Sequence, residues 1–292
     1  MNDAASAPQS PLPTNTVETN DAPPIWLRFL TAILMFIYFE MGYFWAKKHA
    51  AGTVIYDFAT PLDQWLPQIP LFIIFYMLGY LFVFSPCFTL KKKAEFYWGT
   101  ACFFLILTIS FAIFKLFPVA MDKTIAMGTD GLSTLTRFQQ ENDTKYNNFP
   151  SLHVSLNLFA FLVFARHHRT FFWQMLPIPC LIIASTVLVK QHLVLDLVGG
   201  VMMALSAYAL FLTLLKRQLF NSLYAYLGCI AIVLTIIVIN HDRLEKIWRI
   251  VKKFSAKTLE SVPAWAFGLT LFVLLAWWLA MRFLFAKKNT AS

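Results

Sequence analysis

Runs of about 20 apolar residues follow one another from Ile25 onward, separated by short polar or basic breaks. As helices, runs of that length cross a hydrocarbon core of about 30 Å. Stretches such as Leu71 to Phe84 are apolar on every face, whereas a membrane β-barrel would alternate polar and apolar positions in segments of about 10 residues. The pattern therefore predicts an all-α, polytopic membrane helical bundle. Its eight spans are expected over 26–46, 68–89, 96–118, 151–166, 171–189, 193–215, 219–240 and 264–285. The first six form one unit, a membrane core over 25–217, and 218–292 adds a C-terminal pair of membrane helices. Within that pair, Leu244, Ile247, Trp248, Val251 and Phe254 recur at helical spacing among six cations, so 241–262 reads as an amphipathic helix lying at the interface. Residues 1–24, rich in Pro, Ser, Thr and Asn, are expected to form a disordered tail. They lack the charged start of a secretory signal.

Composition agrees with membrane residence: 59% of residues are hydrophobic and 13% charged, where a soluble domain carries about 25% charge. The net charge of +9 would suit an anionic partner, yet the cations gather in short clusters between apolar runs. Lys91 to Lys93, Arg166 with Arg169, Lys216 with Arg217 and Lys287 with Lys288 read as topology signals. No basic patch interleaved with aromatics appears, so no nucleic-acid partner is expected. The four cysteines stand alone in or beside apolar segments and suggest neither metal ligation nor a disulfide framework. With a cytoplasmic tail, Lys and Arg favour the inside once the outside cations that cluster with the polar residues described next are set apart.

Two segments carry polar groups unusual in a lipid-buried helix: Asn147 to His153 and Lys190 to Asp196. From His153 the chain crosses the bilayer, turns at Arg166 to Arg169 and returns to His192, so both histidines are expected at one membrane face. The polar loop 119–150 opens on that face too, bringing Lys123, Arg137, Lys145 and Lys190 within reach. His192 and Asp196 are four residues apart; a carboxylate on one ring nitrogen fixes the tautomer and leaves the other nitrogen nucleophilic. Ser151 follows Pro150 at a helix start, where outward amide groups bind anions. His153, in that first turn, can give a proton to a leaving oxygen. Two histidines facing several cations and a helix start suit phosphoryl transfer through a phosphohistidine, with no metal or other cofactor expected.

At these residues the sequence resembles the type 2 phosphatidic acid phosphatase and vanadium haloperoxidase superfamily. Pro150-Ser151-Leu152-His153 is similar to its Pro-Ser-Gly-His motif, and Ser185, His192 and Asp196 match its third motif, Ser-Arg, five residues, His, three residues, Asp. The resemblance implies His192 as nucleophile, Asp196 as its orienter, His153 as general acid and Ser151 as phosphate ligand. It also implies a six-helix core with an active site facing away from the cytoplasm. Thr186 stands where the third motif has arginine, and Lys190 is the nearest basic substitute. The first motif, Lys, six residues, Arg-Pro, is absent, and either Lys123 or Arg137 supplies its charge. Leu152 replaces the motif's glycine, and the run Asp143, Tyr146, Asn147, Phe149 to His153 looks like the branch that includes inositol phosphorylceramide synthases.

The resulting expectation is an integral membrane lipid phosphatase acting on a phosphorylated lipid, in a bacterial inner membrane with the site toward the periplasm. The alternative is a headgroup phosphotransferase that passes the phosphoryl group to an alcohol. A transporter using the same basic pocket is disfavoured, because no second polar interruption pairs with the one at Pro150. Membrane lipids are the expected surroundings, and no protein partner is indicated.

Overall fold

A computed structural model describes residues 21–49, 54–167, 169–217 and 221–239. The interfacial segment expected over 241–262, the eighth span over 264–285 and most of the N-terminal tail lie outside the described residues. In chain order the elements are α1 (Ile25–His49), β1 (Tyr56–Asp57), α2 (Pro61–Trp65), α3 (Ile73–Phe82), α4 (Ser85–Thr89), α5 (Lys93–Leu116) and β2 (Val119–Ala120). They continue with α6 (Gly131–Asn142), α7 (Leu152–His167), α8 (Phe172–Met175), α9 (Pro177–Leu188), α10 (Val194–Arg217) and α11 (Ser222–Ile239). This is an all-α helical bundle of an integral membrane protein. The helices Ile25–Ala46, Lys93–Leu116, Val194–Arg217 and Ser222–Ile239 are long and apolar enough to cross a membrane on length and composition.

Shorter apolar helices, Pro70–Phe82, Leu152–Arg166 and Phe172–Leu188, stand at the second, fourth and fifth expected spans. The second span is not one continuous helix: α3 stops at Phe82, and α4 restarts with Pro86 in its first turn. The fifth passes from α8 to α9 through Leu176, itself in helical conformation, with Pro177 next to it, so Phe172–Leu188 runs as one apolar helix. Proline lacks the N–H that would bond back to the preceding turn, so it opens helices and interrupts them. The stretch 119–150, expected as a polar loop, contains α6, whose start is capped by Asp130 Oδ1 accepting from Leu132 and Ser133 N–H.

α5 is the inner post of the bundle, packed against α1, α7, α10 and α11, with Phe96, Trp98, Phe103, Phe104, Leu107, Phe111 and Phe114 buried along it. Lipid is as apolar as these side chains, so helices hold together here by close packing rather than by expulsion of water. Small residues permit that approach. On α10, Gly200, Ala204 and Ala207 face inward, and a Cβ at Gly200 would stand 2.8 Å from the Ser151 carbonyl oxygen. The contact of α7 with α10 brings the two polar segments together at one end of the bundle.

Candidate active site

The two motif-bearing helices start side by side. Ser151 N–H donates to the Asp196 carbonyl at 3.0 Å, joining the head of α7 to the first turn of α10. Ser151 is fully buried, and its Oγ accepts from Val154 N–H at 3.3 Å as the cap of α7. His192 precedes α10, which begins at Val194, so a shared helical face is not what pairs it with Asp196. Instead the Asp196 carboxylate folds back over the first turn. Oδ2 accepts from Leu193 N–H at 2.8 Å and lies 3.4 Å from His192 Nδ1, which has no other partner. Asp196 has no exposed surface and His192 is 9% exposed. The carboxylate thus occupies the Nδ1 side of the imidazole and leaves Nε2 for chemistry.

The chain around His192 is held by a turn that sequence spacing does not reveal. Gln191 and His192 N–H groups both donate to the Thr186 carbonyl, at 2.9 and 3.1 Å. Lys190, just before them, has φ 54°, a left-handed conformation costing a side-chain-bearing residue about 1 kcal/mol. Its ammonium offsets that cost by donating to the carbonyls of Asp63 and Leu66 in and after α2, at 2.8 and 2.7 Å. Asp63 Oδ1 in turn accepts from Val194 N–H at 2.7 Å. α2 therefore clasps the His192 segment on both sides. Lys190, expected beside the phosphate, spends its charge in that clasp, and Asp63 is a structural partner that no motif marked.

Of the two candidates for the missing first-motif charge, the fold brings Lys123 to the site. Its Nζ donates to Asp143 Oδ2 at 2.5 Å and to Gln191 Oε1, next to His192, at 2.6 Å. Pairing of the segment after α5 with the one before α7 sets this position: Val119 bridges Asn147, Met121 N–H donates to the Lys145 carbonyl, and Asn148 Nδ2 donates to the Val119 carbonyl. Arg137 is elsewhere engaged, its Nε on the Ala126 carbonyl at 2.9 Å and its other arm on the Gly128 carbonyl. Lys145 pairs with exposed Asp122 at 3.0 Å.

Asp143 is the hub of this corner. Besides Lys123, it accepts from the Tyr43 hydroxyl of α1 and from Thr144 N–H. Burial alone would push the Asp143 carboxyl up, but Lys123, Tyr43 and Thr144 together hold it below the usual carboxylate range. A carboxyl depressed in the folded state stabilises at pH above its unfolded value of about 4 and ceases to do so as pH falls through its folded value. The expected result is a melting temperature in detergent that holds from pH 7 to about pH 5 and drops below about pH 4. Asp143→Asn should remove a measurable part of that acid-side loss.

His153 lies in the first turn of α7, stacked on Tyr76 of α3. Two residues before it, Ser151 N–H bonds the Asp196 carbonyl, so His153 starts α7 beside the segment that carries His192 and Asp196. The site thus gathers His192, Asp196, His153, Ser151 and Lys123 at one end of the bundle. Tyr43, Asp63, Tyr76 and Gln191 are parts that sequence reasoning missed. An aromatic in an apolar run carries no mark of its role, but Gln191, a buried amide beside the histidine, could have been flagged.

A family model for the PAP2 superfamily matches residues 54–210, from the approach to α2 through most of α10. No curated protein and no solved structure matches the chain. The matched region covers more than half of the chain and contains every residue just described except Tyr43. The chain belongs to the PAP2 superfamily.

Proposed function

We propose that this PAP2 protein is a lipid phosphatase that acts on a phosphorylated lipid through a phosphohistidine at His192, without a metal. The observation that carries the reading is the His192–Asp196 pair at the head of α10, with Lys123 bonded to the residue alongside. In the first step His192 Nε2 attacks phosphorus, the bond from phosphorus to the leaving alcohol oxygen breaks, and His153 gives that oxygen a proton. Asp196 holds the Nδ1 side and stabilises the positive charge on the ring. In the second step water attacks the phosphorylated His192, His153 takes its proton, and the P–N bond breaks to free phosphate. Lys123 and the amides at the head of α7 compensate the oxygens of the pentavalent arrangement. Ser151, buried as the cap of α7, sets those amides.

A second reading is transfer of the phosphoryl-bearing group to an alcohol in place of water, and one observation favours it. Lys123, the cation bonded beside His192, already shares its charge with Asp143, while Arg137 and Lys190 are bonded to backbone carbonyls. A singly charged phosphodiester suits so sparse a set of cations among the described residues better than a doubly charged monoester. The Pro150-Ser151-Leu152-His153 run, similar to that of inositol phosphorylceramide synthases, points the same way. In both readings 25–217 is the catalytic core, 218–292 an added membrane pair, and the site faces the periplasm of a bacterial inner membrane.

Purified protein in detergent, given a panel of phosphomonoester, diphosphate and phosphodiester lipids, tests the proposal. Turnover should resist EDTA and be inhibited by orthovanadate, which takes up the five-coordinate geometry. Free phosphate or phosphorylated headgroup as product favours the phosphatase, and a new lipid formed only with an added alcohol favours the transferase. Turnover lost to EDTA and restored by a divalent metal would refute the mechanism.

A further inference from the structure

α3 encloses His153. The imidazole lies flat on the Tyr76 ring, with centroids 4.2 Å and planes 1° apart, and meets Tyr80 edge-on at 5.3 Å and 81°. Tyr76 and Tyr80 stand edge to face at 5.7 Å, and Gln139 of α6 donates to the Tyr80 hydroxyl at 3.1 Å. Between the two tyrosines is Gly79, where an added Cβ would be 2.2 Å from His153 Nε2 and 3.1 Å from Asn157 Nδ2. A helix interior disfavours glycine, and here its absent side chain is the space the imidazole fills. One turn further along α7, Asn157 Nδ2 donates to the His153 carbonyl at 2.7 Å. His153 Nε2 is buried with no hydrogen-bond partner. The ring is therefore oriented by an aromatic face and a glycine notch rather than by a hydrogen-bonded carboxylate of the kind that serves His192.

We propose that Tyr76, with the clearance at Gly79, is the positioning residue for proton transfer by His153. The stack fixes the plane of the imidazole, and the Gly79 notch fixes where its Nε2 edge lies. In the step concerned, the P–O bond to the leaving alcohol breaks as the bond to His192 forms, and the proton on His153 passes to the departing oxygen. Tyr76 itself touches neither phosphorus nor oxygen. The inference rests on the reading of His153 as proton donor in a phosphohistidine mechanism.

Leaving-group chemistry separates positioning from mere structure. An alkoxide needs a proton in order to leave, whereas nitrophenolate leaves without one. The probes are a dialkyl phosphodiester lipid and the same alkyl phosphate carrying nitrophenol, followed in single turnovers of the full-length protein so that only the first step is read. Tyr76→Leu should slow alcohol release at least about 10-fold, within the range general acid catalysis supplies, and leave nitrophenol release within about 2-fold of the unaltered protein. Tyr76→Phe, which keeps the ring, should restore alcohol release. Gly79→Ala should reproduce the Tyr76→Leu pattern by displacing the imidazole. Equal slowing of both substrates by Tyr76→Leu, or slowing of neither, would overturn the proposal. His192→Ala should release neither product; release of either by that variant would refute the phosphohistidine reading and take this inference with it.

Discussion

His192→Ala is expected to abolish turnover, lowering kcat at least about 10³-fold, while the protein is still produced and extracted in folded form. The fold should survive because the backbone supports at this position do not involve the imidazole. The His192 N–H bonds the Thr186 carbonyl, and Lys190 and Val194 on either side are tied to α2. The loss should be large because no other nucleophile among the described residues stands ready to replace the ring: His153 is stacked into α3, and Ser151 caps α7 from a buried position. Asp196→Asn is the companion test. An asparagine can still accept from Leu193 N–H with its carbonyl oxygen, so the turn is kept, but the charge that stabilises a positive His192 is gone. Its kcat should fall by about 10²- to 10⁴-fold. Undiminished activity in either variant would remove the proposed nucleophile.

Lys123 carries the second large effect, and it is twofold. Lys123→Met leaves Asp143, 12% exposed, without the cation 2.5 Å away. Breaking a buried pair from one side costs about 3–5 kcal/mol. It also removes the cation bonded to Gln191 beside the nucleophile, which should lower kcat/KM at least about 100-fold. The double variant Lys123→Met with Asp143→Asn separates the two effects, since it no longer buries an uncompensated charge. Its melting temperature should recover most of the loss while its activity stays low. Activity that recovers together with stability would assign Lys123 a purely structural role.

The long spans were legible because a run that is apolar on all faces has few other places to go, and α1, α5, α10 and α11 stand where the runs predict them. The expected span over 68–89 is broken, because the chain leaves α3 at Phe82 and restarts as α4 with Pro86 in its first turn, whereas 171–189 stands as the apolar helix Phe172–Leu188 despite Pro177. α6 was hidden because a mostly polar helix leaves no run of high hydropathy, only its Asp130 cap and the spacing of Leu132, Leu135 and Phe138. The spacing of Ser151, His153, His192 and Asp196 was visible because those residue types stand out against the apolar runs around them. The choice between Lys123 and Arg137 was not, because it depends on how the segment after α5 pairs with the one before α7. The second role of Lys190 was also out of reach, since Asp63 and Leu66 lie more than a hundred residues earlier in the chain.

Trapping the covalent intermediate decides whether His192 becomes phosphorylated during turnover. Protein mixed with lipid labelled with radioactive phosphorus and quenched within one turnover should carry acid-labile, alkali-stable label. Peptide mapping should place that label on His192, and it should be absent from His192→Ala. Turnover of the same lipid with no protein-bound label on that timescale, or label on any other residue, would contradict the account.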